Sequence, residues 1–262
     1  MKAGIIGCGF IGSEIAEFID ENKELKLTGL NDIDENKVKN LIRKLKHKPK
    51  FMDLENLIKN CDLIIEAASK NVIEEILQNK NLDKKNKILL IMSTSGLINN
   101  LDLLNKTKHC EILLPSGAIC GLDAIKAVAG KIKSLTLTTT KPLKGLEGAP
   151  FILKNKVKLN DIKTKRVIFE GNLKDAVAGF PQNINVAATL FLASKFNDIK
   201  VKIAADPKTK FNSHEIKAVG DFGIIKTTAD NLPGKNPKTS YLSVLNAIQA
   251  IKNIRNNIKI GN

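Results

Sequence analysis

Three glycines in Gly7-Cys8-Gly9-Phe10-Ile11-Gly12 have a spacing that implies a ligand. They follow an apolar run at residues 3–6 and open a helix-like stretch at residues 11–21. In that setting Gly7 permits a tight turn, Gly9 lets the backbone approach a pyrophosphate, and Gly12 lets the helix lie close to the strand. The free N–H groups of the helix start then face the phosphates, with Phe10 and Ile11 counted on the same cofactor surface. A bare match to this pattern is often only a glycine-rich turn; the order strand, turn, helix makes it specific for a dinucleotide. The pattern also needs an acidic side chain about twenty residues on, to accept hydrogen bonds from the adenosine ribose, and Asp32 stands there. The alternative for Asp32 is a turn or helix cap before Glu35, work that Asp34 can do as well. An acidic group repels a 2′-phosphate and so favours NAD over NADP, while the neighbouring Asn31 and Lys37 soften the preference. Either cofactor is therefore expected.

Ligands of open parallel sheets sit beyond the carboxyl ends of the strands. Ala67 and Ala68 follow the apolar run 63–65 and Ser93 follows the run 88–92, so all three are expected beside the cofactor. The alternative is that these small residues only make tight connections.

The chain has three histidines. His47 stands in the basic stretch 43–50 and is expected on the surface; His109, between Lys108 and Cys110, is expected to be structural. His214 lies in the segment 206–216, flanked by polar groups that can orient an imidazole. Histidine titrates near neutrality and can move the proton that accompanies hydride loss, although an isolated histidine specifies no geometry.

The elements that must hold these residues come in two styles. Up to about residue 112, short apolar runs at 3–6, 25–30, 63–66 and 88–92 alternate with helical spacing at 11–21, 35–45, 53–59 and 72–78, which means βαβ units and a parallel sheet. Beyond a turn-rich stretch at 115–118, strand-like runs at 134–140, 166–170 and 201–205 share the chain with helical patterns at 122–129 and 183–196, which suggests a mostly antiparallel sheet. The expected fold class is α/β: an N-terminal Rossmann dinucleotide-binding domain (1–112) with a C-terminal α+β catalytic and dimerisation domain (113–239). A tail at 240–260, with Leu242, Leu245, Ile248 and Ile251 at helical spacing, is expected to pack back on the first domain. An apolar face on the second sheet would suit a homodimer.

Composition narrows the partners. The formal charge is +15, yet the lysines are spread along the chain, there is no tryptophan, and one tyrosine leaves few platforms for stacking bases. Nucleic acid is not expected as a partner. No apolar run approaches the roughly eighteen residues of a membrane span, and the start of the chain lacks the pattern of a secretory leader, so a cytoplasmic protein with no membrane partner is expected. The four cysteines are scattered and no histidines cluster, so neither metal nor disulfides are expected.

Several longer segments resemble one family. Leu114-Pro115-Ser116-Gly117-Ala118-Ile119-Cys120-Gly121, Thr138-Thr139-Thr140-Lys141-Pro142, Phe169-Glu170-Gly171-Asn172, Phe180-Pro181-Gln182-Asn183-Ile184-Asn185 and Asn236-Pro237-Lys238-Thr239-Ser240-Tyr241 occur in the order found in L-aspartate dehydrogenases. The resemblance implies oxidative deamination of L-aspartate to iminoaspartate and then to oxaloacetate and ammonia, with NAD or NADP taking the hydride and the imine able to feed NAD synthesis. It implies that His214 is the catalytic histidine and that Ala118 and Asn185 touch the cofactor, Asn183 being the alternative to Asn185 and helix capping the alternative role for both asparagines; the mechanism expected has the nicotinamide across a crevice with its C4 towards the aspartate α-carbon. Aspartate carries two carboxylates, so Lys141, Lys238, Thr239 and Ser240 in these segments are candidate substrate ligands; a solvated surface position is the alternative for each lysine. The turn Ser93-Thr94-Ser95-Gly96 departs from the family by being poorer in glycine and alanine. The rival readings are a homoserine dehydrogenase or dihydrodipicolinate reductase type of enzyme, and a non-catalytic NAD(H)-binding sensor.

Overall fold

The computed structural model describes residues 1–181, 184–234, 239–258 and 260. It contains two compact units, Met1–Pro115 with Ala247–Ile254, and Ser116–Asn246 with the described residues from Arg255 on.

The first unit runs β1 (Lys2–Ile6), α1 (Phe10–Glu21), β2 (Lys26–Asn31), α2 (Glu35–Lys44), β3 (Lys50–Phe51), α3 (Leu54–Asn60), β4 (Leu63–Glu66), α4 (Ile73–Gln78), β5 (Ile88–Ile91), α5 (Leu101–Lys106) and β6 (Glu111–Leu113). Its strands pair in parallel in the order β3-β2-β1-β4-β5-β6. Parallel strands are covered on both faces, which is why β4 is apolar in three consecutive positions and buried throughout. Asp34 and Asp53 start α2 and α3 by accepting the N–H groups of Asn36 and Asn56. Asp34 thus caps α2, while Asp32 makes the turn before it by accepting the Asp34 N–H. At the far end of α3, the buried Lys87 ammonium donates to the carbonyls of Ile58, Lys59 and Cys61, satisfying groups the helix leaves open. Ile5, Ile15, Leu30, Leu63, Ile65 and Leu90 form the core together with Ala247 and Ile251. The chain fills one side of β1 with β2 and β3 and then returns to place β4 on the other. This opens the topological switch point between the carboxyl ends of β1 and β4. The two-residue β3 was not expected, being too short to show a period.

The second unit runs α6 (Leu122–Ala127), β7 (Ile132–Lys141), α7 (Pro150–Lys154), β8 (Arg166–Gly171), α8 (Leu173–Gly179), α9 (Asn185–Ser194), β9 (Ile199–Ala205), β10 (Asn212–Gly220) and β11 (Gly223–Asn231), then α10 (Tyr241–Asn253), whose later residues belong to the first unit. The sheet order is β11-β10-β7-β9-β8; β7 and β9 are parallel and the other pairs antiparallel. Phe151, Phe169 and Phe180 pack their rings at 5.2 to 5.5 Å in its core. The hairpin β10–β11, turning through Asp221 and Phe222, is absent from the sequence expectations. On β10 the inward positions are Asn212, His214, Ile216 and Ala218, so half of the buried stripe is polar and the period-two hydrophobic signal is broken. The helix expected at 183–196 starts at Asn185; residues 182 and 183 lie outside the described residues.

The sheet face away from His214 is not apolar. It carries Thr136, Thr138, Glu215 and Lys217, with Glu170 paired to Lys200 and Lys202 and Glu215 to Lys226, while Val167 and Ile224 are its exposed apolar residues. No described helix is long and apolar enough to cross a membrane.

Candidate active site

The glycine turn is built as its sequence demands. Gly7 has φ +96°, and a Cβ there would lie 2.6 Å from the Ala67 carbonyl carbon and the Ala68 backbone. A Cβ on Gly12 would lie 1.9 Å from the Gly7 carbonyl oxygen, so the start of α1 and the end of β1 touch through bare backbone. Gly9 differs: a Cβ there would meet nothing within 4 Å, on a backbone with an ordinary φ of −77°. Its surroundings are open where a pyrophosphate must come close. Phe10 and Ile11 begin α1, both half-buried.

Asp32 turns back on this loop. Its Oδ2 accepts the Cys8 N–H at 2.7 Å and its Oδ1 the Asp34 N–H at 2.9 Å. An ionised carboxylate has about four acceptor sites, so the two N–H groups orient Asp32 and leave capacity for ribose hydroxyls. The Asn31 amide donates to the Met52 carbonyl at 2.7 Å and is occupied. Burial, with Asp32 next and Lys37 opposing, pushes the Cys8 thiol up to about 12, so it stays protonated.

Across the switch point, Ala67 donates its N–H to the Ile6 carbonyl, which brings the Ala67–Ala68 turn against Gly7. Glu66, a residue with no motif to mark it, is fully buried and binds this edge together: Oε1 accepts the Ala68 N–H and Oε2 the Ser93 N–H, both at 2.9 Å. Burial pushes its carboxyl up, and hydrogen bonds from Ser93 and Ala68 pull the other way. Gly7, Gly9, Phe10, Ile11, Gly12, Asp32, Ala67, Ala68 and Ser93 therefore gather at the carboxyl ends of β1, β2, β4 and β5. The residues fit a dinucleotide: a bare-backbone turn, open space at Gly9, and an oriented carboxylate.

In the second unit, β10 carries His214 directly opposite Thr139 of β7, with Thr139 Oγ1 and His214 Nδ1 3.0 Å apart. The histidine is 4% exposed. Burial first, and the charge of Lys141 second, lower its pKa to about 3, so the ring is neutral at physiological pH. Lys141 lies two residues beyond Thr139 on the same strand and is 3% exposed, which removes the reading of it as a solvated surface lysine. The backbone at Gly145 closes on the same group, because a Cβ there would lie 3.5 Å from Lys141 Cδ and 3.9 Å from Asn212 Oδ1. His214, Thr139, Lys141 and Asn212 thus form one buried polar group on the inner face of the sheet. Thr139 and Asn212 were not singled out from sequence; the two-residue spacing of Thr139 and Lys141 on a strand was the available signal.

The Pro-Ser-Gly-Ala turn is pinned to this sheet. Asn231, buried at the end of β11, donates to the carbonyls of Ala118 and Asn212, and Asn246 donates to the Gly117 carbonyl. Ala118 is buried. Asn185 is exposed in the first turn of α9, where Ile184 holds the cap position, so the capping alternative for Asn185 falls away. Ser240 is buried and bridges to Pro233, while the Thr239 carbonyl accepts the Gly234 N–H. Among the described residues no hydrogen bond joins Thr239 or Ser240 to His214, whose partner is Thr139, and Lys238 lies outside the described residues. The other two histidines belong to the first unit: exposed His47 sits against Asp20, and the His109 backbone N–H is held by Asp83.

Comparison with known proteins divides along the same two units. A family model for the NAD binding domain of homoserine dehydrogenase matches residues 7–115, and one for the C-terminal domain of aspartate dehydrogenase matches residues 123–254. The L-aspartate dehydrogenase of Methanosarcina acetivorans is 41% identical, over 100% of this chain and 99% of its own length. That of Methanococcus maripaludis is 39% identical, with the same coverage. The crystal structure of aspartate dehydrogenase from Thermotoga maritima superposes with a TM-score of 0.77 at 28% identity, covering 100% of this chain and 99% of the other. A scyllo-inositol dehydrogenase from Lactobacillus casei with bound NAD(H) and scyllo-inositol shares the fold, at 13% identity and a TM-score of 0.52, over 100% of this chain and 91% of that one. The homoserine dehydrogenase likeness is confined to the nucleotide unit, and the unit holding His214 matches the aspartate enzymes: this chain belongs to the L-aspartate dehydrogenase family of NAD(P)-dependent oxidoreductases.

Proposed function

We propose that the chain oxidises L-aspartate with NAD or NADP and water to oxaloacetate, ammonium, reduced cofactor and a proton, through iminoaspartate. The observation that carries this reading is the buried group of His214, Thr139 and Lys141 in the unit matched by the aspartate dehydrogenase model. When bound, the nicotinamide supplies the hydride acceptor for the substrate α-carbon. Gly7, Gly9, Gly12, Phe10 and Ile11 hold the pyrophosphate at the start of α1, and Asp32 receives the adenosine ribose. Ala67, Ala68, Ser93, Ala118 and Asn185 line the remainder of the cofactor. Lys141 pairs with a substrate carboxylate, joined by Lys238, Thr239 and Ser240; a cation as buried as Lys141 gains most from an anionic partner. His214 acts on the substrate as water adds to the imine and ammonia leaves, by donating a hydrogen bond or exchanging a proton, a contribution typically of order 10² to 10⁴ in rate. A carboxylate at Asp32 favours NAD, and Lys37 supports residual use of NADP.

Steady-state kinetics with a panel of amino acids and both cofactors test this reading. Aspartate-dependent reduction of NAD, absent in His214→Ala while NADH binding persists, is the expected result; turnover of homoserine in its place, or none, would overturn it. We further propose a homodimer through the open sheet face, whose mixture of threonines, paired charges and exposed Val167 and Ile224 suits a reversible pair. Sedimentation velocity should show a dimer that dissociates on dilution.

A further inference from the structure

Thr139 and His214 are register partners on β7 and β10, and their side chains share the buried face of the sheet, 1% and 4% exposed. A hydroxyl brings one hydrogen and a neutral imidazole brings one hydrogen and one lone pair, so the 3.0 Å contact can form in two ways. If Nδ1–H donates, the buried hydroxyl hydrogen must find another acceptor, and among the described residues Nδ1 is the partner that Thr139 Oγ1 has. If the hydroxyl donates, its hydrogen is satisfied and the ring hydrogen sits on Nε2, which is not among the fully buried unpartnered atoms and so can meet water or substrate. Leaving a buried donor unmet disfavours the first arrangement by about ten- to hundredfold.

We propose that Thr139 is the positioning residue of His214: its hydroxyl donates to Nδ1 and holds the resting imidazole as the Nε2–H tautomer, so that the ring meets the substrate as a neutral hydrogen-bond donor. The inference rests on reading His214 as the group at the substrate. The surroundings favour a neutral ring. Thr139 and Lys141 of β7, Asn212 and Ile216 of β10 and Ala229 of β11 share its face, and the charged one is the cation Lys141. A carboxylate behind Nδ1 would stabilise an imidazolium; a threonine has no charge with which to do so. A neutral N–H at Nε2 can polarise a substrate oxygen or nitrogen without adding positive charge beside Lys141.

The test is the ring nitrogen spectrum of the ¹⁵N-histidine-labelled protein, with His214→Asn identifying the His214 signals among the three histidines. The spectrum at neutral pH should show Nε2 protonated and Nδ1 as a hydrogen-bonded acceptor. Thr139→Val should mix the tautomers and lower kcat about ten- to hundredfold without changing the NADH Kd, and Thr139→Ser should restore both. A wild-type proton on Nδ1, or a folded Thr139→Val with kcat within about twofold of wild type, overturns the proposal. Unchanged kcat in His214→Asn overturns instead the underlying reading of His214. The wild-type spectrum decides the tautomer even if the valine variant fails to fold.

Discussion

Gly9 and Gly12 are the same residue type in the same motif, yet their surroundings separate binding from folding. A methyl group on Gly12 would be driven into the Gly7 carbonyl, whereas one on Gly9 would enter open space. Gly12→Ala should therefore cost about 3 kcal/mol of stability by overpacking. Gly9→Ala should stay within about 0.5 kcal/mol of wild type while NADH affinity falls at least about tenfold, since the methyl occupies the pyrophosphate's place. Urea denaturation and NADH fluorescence titration measure the two effects independently. His214 makes a second residue-scale prediction. Its ordinary pKa is 6.5 and its folded pKa about 3, so between those values the unfolded chain binds a proton that the folded chain refuses. Stability is intact above pH 6.5 and is lost as pH falls through that window, by about 2 kcal/mol between pH 6.5 and 5. His214→Asn should flatten this loss in urea midpoints taken at pH 7.5 and pH 5, where the carboxylates with lowered pKa, Asp20, Asp53, Asp83 and Glu170, remain ionised.

Between elements, single buried side chains do the joining. Glu66 ties the end of β4 to the end of β5 through the N–H groups of Ala68 and Ser93, and Ala67 and Ala68 in turn pack on Gly7. Glu66→Gln replaces one accepting oxygen by a donor that faces a backbone N–H. The variant should be less stable by about 1–3 kcal/mol and bind NADH more weakly, because both turns at the cofactor edge lose their common anchor. Thermal melts with and without NADH check it: an unchanged ligand-induced shift would mean that Glu66 supports the fold alone. Asn231 plays the matching part in the second sheet, holding Ala118 to β10 through its amide. Neither residue stood out in the sequence, because a lone Glu or Asn at a strand end looks like a turn former until its partners, tens of residues away, are known.

At the scale of the whole molecule, a charge of +15 with few ion pairs among the described residues means net self-repulsion. Raising sodium chloride from about 0.01 to 0.15 M, which shortens the Debye length from roughly 30 to 8 Å, should raise Tm in the absence of ligand. A falling Tm would show that attractive pairs dominate. The first unit was legible from the chain alone, since apolar runs in β1, β4 and β5, helical spacing between them and the Gly7-Gly9-Gly12 turn are local patterns repeated with a fixed period. The hairpin β10–β11 was not legible, because placing Asn212 and His214 inward spoils the alternation that reveals a strand. Amino-acid order by itself determined the parallel sheet, the dinucleotide turn and the family likeness, all of which depend on residues near one another in the chain or on whole segments in order. Only the tertiary structure decided that Thr139 backs His214, that Lys141 is buried beside them, and that Glu66 binds two turns. Those are pairings across strands, and strand register is set by how the complete sheet buries its inner face.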